Sequence, residues 1–510
     1  MSSIGPRLTP GDVARTLFKG IDPDRDERAS QLCVETLLTL SRNGYRAPEG
    51  VDKLVGPKRG QFAVRSLALA ENFLDGEDQG RVGDMSPHAF GAVLASGEDV
   101  SGSANLALAR DALQGLIDPS TNQGQPGGWL LRPFHESLLW YDARRRKNAP
   151  WVPQQVYMRG SGVMLARMLC DPGEATGTEA RAEGERAVGA IRDALTEESP
   201  LASIAKAVEG ALPASLRAQG PPDGTDAERE AWKRAHDDGL AELSRRVCRH
   251  SEGVMLQGTA SAASRLWQLR TVLALDLATH VLRTAWERVG VLPQDQYLLL
   301  TFDGPPRRDN RVRQRSERSY ADARQRLRQA TVATLATEMA HLARNEGDVQ
   351  WVDELRPRGN KLEEVLEGLD AVDSDTDNAE FERLARLAAA DADYGRASEG
   401  FRVLLETIGM LAGTGAYRYL TAPPELLAAL VGALSSRMPM TSAEFFRAVR
   451  EEWGLVIDEG AGTRLASEID GAELQRSGRR AEARMADAGL AVSLSDRTVV
   501  VGERARRERV

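Results

Sequence analysis

Cysteine is scarce in this 510-residue chain, which contains only Cys33, Cys170 and Cys248. These residues lie too far apart in the sequence for a disulfide framework, so we expect a reducing compartment such as a bacterial cytoplasm. Long apolar runs are also missing, since no window approaches about 18 uncharged apolar residues. Asp12 and Arg15 interrupt the N-terminus where a signal peptide would be apolar. The sequence therefore predicts a cytoplasmic protein that does not enter a membrane.

Lysine is the second scarce residue, because only seven of the 66 Lys+Arg residues are lysines. The formal net charge is −9, so the chain as a whole should repel nucleic acid and any nucleic-acid surface must be local. The excess of arginine, together with abundant alanine, is typical of a GC-rich genome. An arginine cluster in this chain can therefore be a solvated surface as readily as a phosphate-binding site.

Most motifs of common catalytic sites are absent. The chain has no G-x-x-x-x-G-K-[ST] loop, and its GSG at 160–162 and GTG at 413–415 lack the preceding strand of a dinucleotide site. Ser203 and Lys206 form S-x-x-K without the companion motifs of an acyl-enzyme serine. We therefore predict no catalytic residue, no metal and no cofactor.

Three weaker metal hypotheses remain open. His236-Asp237, with His135 before it and Asp276 after it, has the residue types of a metal-dependent phosphohydrolase. Asp303 follows an apolar run as a nuclease carboxylate would, but no acid-x-lysine partner is found. The neighbouring residues Cys248 and His250 supply only two of the ligands that a zinc site needs.

Helical spacing of apolar residues dominates, so we predict a mainly α, multi-domain protein. The proline- and glycine-rich stretch 213–224 reads as a linker, and Thr225 with Glu228 forms a capping box that begins the next helix. The run YLLLTF at 297–302 is the one strand expected in the middle of the chain, with a helical alternative because no partner is evident. The predicted parts are an N-terminal helical region (1–212), a central helical domain with a strand and an arginine-rich loop (225–369), a helical connector (379–421) and a C-terminal domain (422–510).

The C-terminal part has the most informative order of elements. PELLAALVGALSSR predicts one helix, and Thr441 with Glu444 forms a capping box that begins a second. AELQRSGRRAEARMADAG predicts a third helix that ends at Gly489, and LAVSLSDRTVVV predicts a β-hairpin. Three helices followed by a hairpin indicate a winged-helix-like domain.

The third helix has two unlike sides at 100° per residue. Its narrow apolar stripe consists of Leu474, Ala481, Met485 and Ala488. Its opposite side carries the predicted nucleic-acid-binding residues Arg476, Arg479, Arg480 and Arg484. Residues 438–510 nevertheless contain 12 basic and 13 acidic side chains, so the domain as a whole is not basic.

A second basic stretch spans 307–328, where nine arginines and three acidic residues give a local charge of +6. We expect its first half to be a loop after Pro305-Pro306 and its second half to be helix surface, with Arg324 on the apolar side. The predicted phosphate-binding residues of the loop are Arg307, Arg308, Arg311, Arg313 and Arg315.

These features favour a non-catalytic DNA-binding or DNA-associated accessory subunit of a bacterial multi-protein DNA-processing or anti-phage defence system. The expected partners are DNA and the other proteins of that system. One alternative is a scaffold whose winged helix docks a partner protein. A second alternative is an unrecognised metal-dependent nuclease or hydrolase.

Overall fold

The computed structural model describes residues 10–23, 28–56, 132–136, 139, 143–145, 151–153, 160–197, 224–302, 310–345, 377–391, 395–435, 438–458, 469, 471–495 and 498–502. The linker stretch 213–223, the pair Ser203 and Lys206, and Asp303 lie outside these residues.

The described chain is mainly helical. Its α-helices are α1 (Pro10–Leu17), α2 (Ala29–Arg42), α3 (Ser161–Cys170), α4 (Thr178–Thr196), α5 (Asp226–Arg234), α6 (Ala241–Met255), α7 (Ala262–Arg288), α8 (Arg311–Asn345), α9 (Asn378–Asp391), α10 (Arg396–Thr407), α11 (Pro424–Ser435), α12 (Ser442–Trp453) and α13 (Gly471–Asp487). Its strands are β1 (Ala143–Arg145), β2 (Trp151–Pro153), β3 (Leu298–Leu299), β4 (Leu411–Ala412), β5 (Tyr419–Leu420), β6 (Met440–Thr441), β7 (Leu455–Val456), β8 (Ala491–Ser495) and β9 (Thr498–Val501). Within the described ranges, no helix has the length and apolar character needed to cross a membrane.

The chain forms two compact units. The N-terminal unit is Arg28–Leu273, and the C-terminal unit combines Met1–Glu27 with Ala274–Val510. The boundary between them falls inside α7. The division into four parts stays a prediction.

The N-terminal unit is a group of closely packed helices, in which α4 lies against α3 and α6, and α2 lies against α3. Small residues allow these close approaches. A Cβ atom added at Gly184 of α4 would lie 2.4 Å from the backbone oxygen of Leu169 and 3.2 Å from Cys248 Sγ. The predicted capping box is confirmed, since Glu228 N donates to Thr225 Oγ1 and Thr225 N donates to Glu228.

Two glycines of α4 should respond in opposite ways to alanine. Gly184→Ala should lower the free energy of unfolding by about 2 kcal/mol, because the backbone of α3 leaves no room for the methyl group. Gly189→Ala should raise it by about 0.5–1 kcal/mol, because nothing lies within 4 Å and alanine is the better helix former. Urea unfolding followed by circular dichroism measures both changes. Equal effects at the two positions would contradict the close α3–α4 packing.

The long helix α8 organises the C-terminal unit and packs against α1, α9, α10, β3 and β5. The predicted strand within YLLLTF is confirmed, and its partner is β7, which pairs with it in parallel through Leu298 with Leu455 and Leu299 with Val456. A parallel bridge also joins Leu300 to Leu420. The helical alternative for this run is therefore wrong.

The predicted start of α8 needs correction. Arg311, Arg313 and Arg315 were expected in a loop, but all three lie on the first turns of α8. Asn310 explains the early start, because its Oδ1 accepts a hydrogen bond of 3.0 Å from Arg313 N, as an N-cap side chain does. Arg307 and Arg308 lie outside the described residues.

The last helices and strands follow the order α11, β6, α12, β7, α13, β8, β9. The strands β6, β9 and β8 form an antiparallel sheet in that spatial order, and β8 and β9 are the predicted hairpin. The capping box that begins α12 is confirmed, since Thr441 Oγ1 accepts from Glu444 N and Glu444 accepts from Thr441 N. Gly454 ends α12 in the left-handed conformation with φ 70°.

Candidate nucleic-acid interface

The helix α13 has the two-sided character that the sequence predicts. Leu474, Ala481 and Met485 are buried on one side. Arg476, Arg479 and Arg480 are exposed on the other. Ala488 follows the end of the helix and is half-buried. We call the three exposed arginines the α13 arginine face.

Arg484 differs from the α13 arginine face, although the sequence places it on the same side. It is half-buried, its guanidinium donates to the Phe302 carbonyl oxygen at 3.3 Å, and its Cζ lies 5.4 Å from the centre of the Phe302 ring. The Arg484 guanidinium therefore joins α13 to Phe302 at the end of the YLLLTF run. It is less available to a ligand than the three arginines of the α13 arginine face.

Further contacts fix the position of α13. Phe302 N donates to Ser477 Oγ at 3.4 Å, so the YLLLTF run is joined to α13 at both Ser477 and Arg484. At Gly478, a Cβ atom would lie 2.9 Å from Asp458 Cβ and 3.8 Å from Phe446. Glu482, one of the acidic residues of the helix, accepts a hydrogen bond of 2.5 Å from Ser442 Oγ on α12. The helix is thus held on one side while its arginine face stays in solvent.

The arginines at the start of α8 are mostly engaged within the protein. Arg313 forms an ion pair with Glu317 at 3.2 Å and lies 4.0 Å from the centre of the Tyr419 ring. Arg315 donates to Tyr297 Oη at 2.7 Å. Arg311 is exposed. Of the predicted phosphate-binding residues on α8, Arg311 is therefore the one most accessible to a ligand.

The fold brings the two predicted basic stretches together. Val312 of α8 and Leu474 of α13 belong to one buried apolar cluster, which also contains Ile469. Phe302, the last described residue before Asn310, also contacts α13, through Ser477 and Arg484. Arg311 therefore lies at an end of α8 that packs against α13, next to the helix that carries the α13 arginine face.

The residues of the phosphohydrolase hypothesis have other roles in the structure. His236 Nε2 lies 2.9 Å from the Asp171 carbonyl oxygen and 3.2 Å from Asp171 Oδ2, beside a cleft of about 420 Å³. Asp276 is buried and accepts a hydrogen bond of 2.7 Å from Trp453 Nε1. Across the part of the chain that the structure describes, no three His, Cys, Asp or Glu residues are placed to hold a metal ion.

Two of the cysteines, Cys33 and Cys248, are buried, and Cys170 is half-buried. Burial raises the pKa of the Cys33 thiol to about 12, with a smaller opposite effect from Arg270, and burial likewise raises the pKa of Cys170 to about 12. Burial also raises the pKa of Cys248, whose Sγ donates to the Met168 carbonyl oxygen at 3.2 Å. Neither Cys248 nor its neighbour His250 is exposed, so the pair does not form an open site.

Slow thiol chemistry should follow from these environments. A rise of the pKa from 9.0 to about 12 leaves ~1,000-fold less thiolate at pH 8, and the thiolate is the reactive form. We expect the folded protein to react with Ellman's reagent at least ~100-fold more slowly than a free thiol. Three thiols should react promptly in guanidinium chloride. Prompt reaction of the folded protein would contradict the burial of these side chains.

Comparison with known proteins gives no relative from which a function could be transferred: no family model, no curated protein and no solved structure matches the chain.

Proposed function

We propose that the segment from α11 to β9 is a winged-helix domain that binds duplex DNA through α13. The order of three helices with a strand after the first and a hairpin after the third supports this proposal. So does the sheet order β6-β9-β8, in which the strand after the first helix pairs with the last strand of the hairpin. One feature departs from a simple winged helix, because β7 lies between the second and third helices and pairs with β3.

The observation that carries the proposal is the α13 arginine face. An α-helix fits the major groove of B-form DNA, and arginine can pair with phosphate oxygens or with the O6 and N7 atoms of guanine. Arg476 and Arg480 are four residues apart, so their Cα atoms are separated by about 6 Å along the helix axis. The three guanidinium groups therefore lie close enough to reach neighbouring groups of one groove. Arg311 extends the positive charge toward α8.

The global charge of the chain supports a confined site. A protein of net charge −9 repels DNA over most of its surface, so it should hold a duplex only where positive charge is concentrated. We extend the proposal to a non-catalytic accessory subunit of a bacterial DNA-processing or anti-phage defence assembly, which recruits that assembly to DNA. The proposal of an accessory subunit holds only if the protein binds duplex DNA.

The test is binding of a fluorescein-labelled 20-base-pair duplex, measured by anisotropy between 50 and 200 mM salt. Three phosphate contacts predict a slope of log K against log salt of about −2.7, which is a loss of about 40-fold in affinity over this range. No binding even at 50 mM salt would refute the proposal and leave the protein-docking scaffold as the better hypothesis.

A further inference from the structure

A second group of arginines lies in the C-terminal unit, where α8, α10 and the β4–β5 hairpin meet. Four arginines share two carboxylates in this group, which leaves a net charge of +2. Its members are Arg324, Arg328, Glu399, Arg402, Glu406 and Arg418. We call this group the hairpin arginine cluster.

The contacts within the hairpin arginine cluster are short and shared. Arg402 lies 2.7 Å from Glu399 and 2.5 Å from Glu406. Arg418 lies 3.0 Å from Glu406. Glu399 also pairs with Arg324 and lies 4.0 Å from Arg328. Two carboxylates cannot satisfy the donors of four guanidinium groups, since each guanidinium carries five N–H groups.

A buried phenol lies among these guanidinium groups. Tyr320 of α8 is 4% exposed, its hydroxyl interacts with the Arg418 side chain, and Arg324 Cζ lies 5.9 Å from the centre of its ring. Burial raises the pKa of Tyr320, while the charges of Arg324, Arg418 and Arg402 partly oppose this rise. The phenol is therefore neutral at physiological pH and does not reduce the positive charge of the cluster.

An exposed aromatic residue adjoins the cluster in the sequence. Tyr417 directly precedes Arg418 and is 73% exposed. The ring is carried by an ordered turn: Leu411 pairs with Leu420 in the hairpin. Gly413 has φ +85°, and a Cβ atom there would lie 2.4 Å from the Tyr417 carbonyl oxygen. The hairpin thus holds Tyr417 beside Arg418 in a defined conformation.

We propose that the hairpin arginine cluster and Tyr417 bind single-stranded nucleic acid. Arg418 and the exposed Arg328 would contact the phosphates, while an unpaired base stacks on Tyr417. A net charge of +2 matches two phosphodiester groups, and base stacking on an aromatic side chain needs bases that are free of a duplex. This site is separate from the α13 arginine face and does not depend on its duplex binding.

The test is anisotropy of a fluorescein-labelled 20-nucleotide oligo(dT) with the full chain. Tyr417→Ala should lower the affinity at least about 10-fold, whereas Tyr417→Phe should stay within about 2-fold, because the stacking ring is kept. Arg418→Ala should reduce the salt slope by about 0.7 for one lost phosphate contact. Arg402 remains to pair with Glu406 in that variant, so the hairpin should stay folded.

The control is Arg386→Ala on α9, which removes an equally charged side chain that is 70% exposed and paired with Glu382. Its oligo(dT) affinity should be unchanged. The α13 variant that combines Arg476→Glu, Arg479→Glu and Arg480→Glu should also keep oligo(dT) binding. Wild-type affinity for Tyr417→Ala and Arg418→Ala, or loss of binding in the α13 variant, would overturn the proposal. Displacement of the oligonucleotide by micromolar AMP would overturn it in favour of a free nucleotide as the ligand.

Discussion

Replacing Arg476, Arg479 and Arg480 together by glutamate should lower the affinity for duplex DNA by at least about 100-fold at 100 mM salt. The change removes three positive charges from the α13 arginine face and adds three negative charges beside the phosphates. The salt dependence should almost vanish, because few counterions are released on binding. All three side chains are exposed, so the fold should not change. Anisotropy with the 20-base-pair duplex measures the affinity, and circular dichroism checks the fold.

A charge-matched control separates a local contact from a general effect of net charge. Glutamate in place of Arg245, Arg383 and Arg386 gives the same net charge, and each of these arginines is exposed and pairs with a glutamate of its own helix. This control should lose less than about 3-fold in duplex affinity, since separated surface charges are largely screened. Equal losses in the two variants would show that α13 is not the binding surface.

The arginine side of α13 could be predicted because it depends only on helical periodicity. The apolar stripe and the exposed arginines follow from residue spacing within a single helix. The environment of Arg484 could not be predicted in this way. Its partner Phe302 lies 182 residues earlier in the chain, and nothing in the spacing of α13 indicates that contact.

The sequence contains a signal for the start of α8. Asn310 is a favoured N-cap residue, but Pro305-Pro306 just before it indicate a loop. For strand β3, the sequence predicts the strand but not its partner. The partner, β7, is two residues long and lies more than 150 positions away in the chain. A strand of two residues is too short to show the alternation of residue types from which a strand is predicted.

The hairpin arginine cluster was also beyond sequence reasoning. Its members come from α8, α10 and the β4–β5 hairpin, and each looks like an ordinary surface residue of an arginine-rich chain. The sequence placed Arg324 near the apolar side of its helix, which agrees with its half-buried position. The ion pair of Arg324 with Glu399 depends on the tertiary packing of α8 against α10.

Trp453→Phe should lower the free energy of unfolding by about 3 kcal/mol. The indole N–H donates at 2.7 Å to Asp276 Oδ1, and both residues are buried. Loss of a hydrogen bond to a buried charged acceptor costs about 1.5–3 kcal/mol, and the smaller ring leaves a cavity that adds to this cost. Urea unfolding followed by circular dichroism measures the change.

Trp286→Phe on α7 is the matched control, since it removes the same volume from a buried position without removing the donor to Asp276. It should cost about 1 kcal/mol. Asp276→Asn in the wild-type and Trp453→Phe backgrounds completes a double-mutant cycle, for which we expect a coupling energy of about 1–2 kcal/mol. Equal effects of the two tryptophan substitutions would show that the hydrogen bond contributes little.

The same contact bears on the proposed DNA-binding domain. Arg283 of α7 donates to the carbonyl oxygens of Glu451 and Glu452 at 2.8 and 2.9 Å, so a cation of α7 satisfies the last carbonyl groups of α12. Asp276 of the same helix accepts from the Trp453 side chain. Directly after this end, Gly454 leads into β7 and its pairing with β3, whose segment reaches α13 through Phe302. Trp453→Phe removes neither the Arg283 hydrogen bonds nor the β3–β7 pairing, so it should weaken duplex binding only at temperatures where the variant begins to unfold. An affinity loss in the fully folded variant would show that the α7–α12 contact also positions α13.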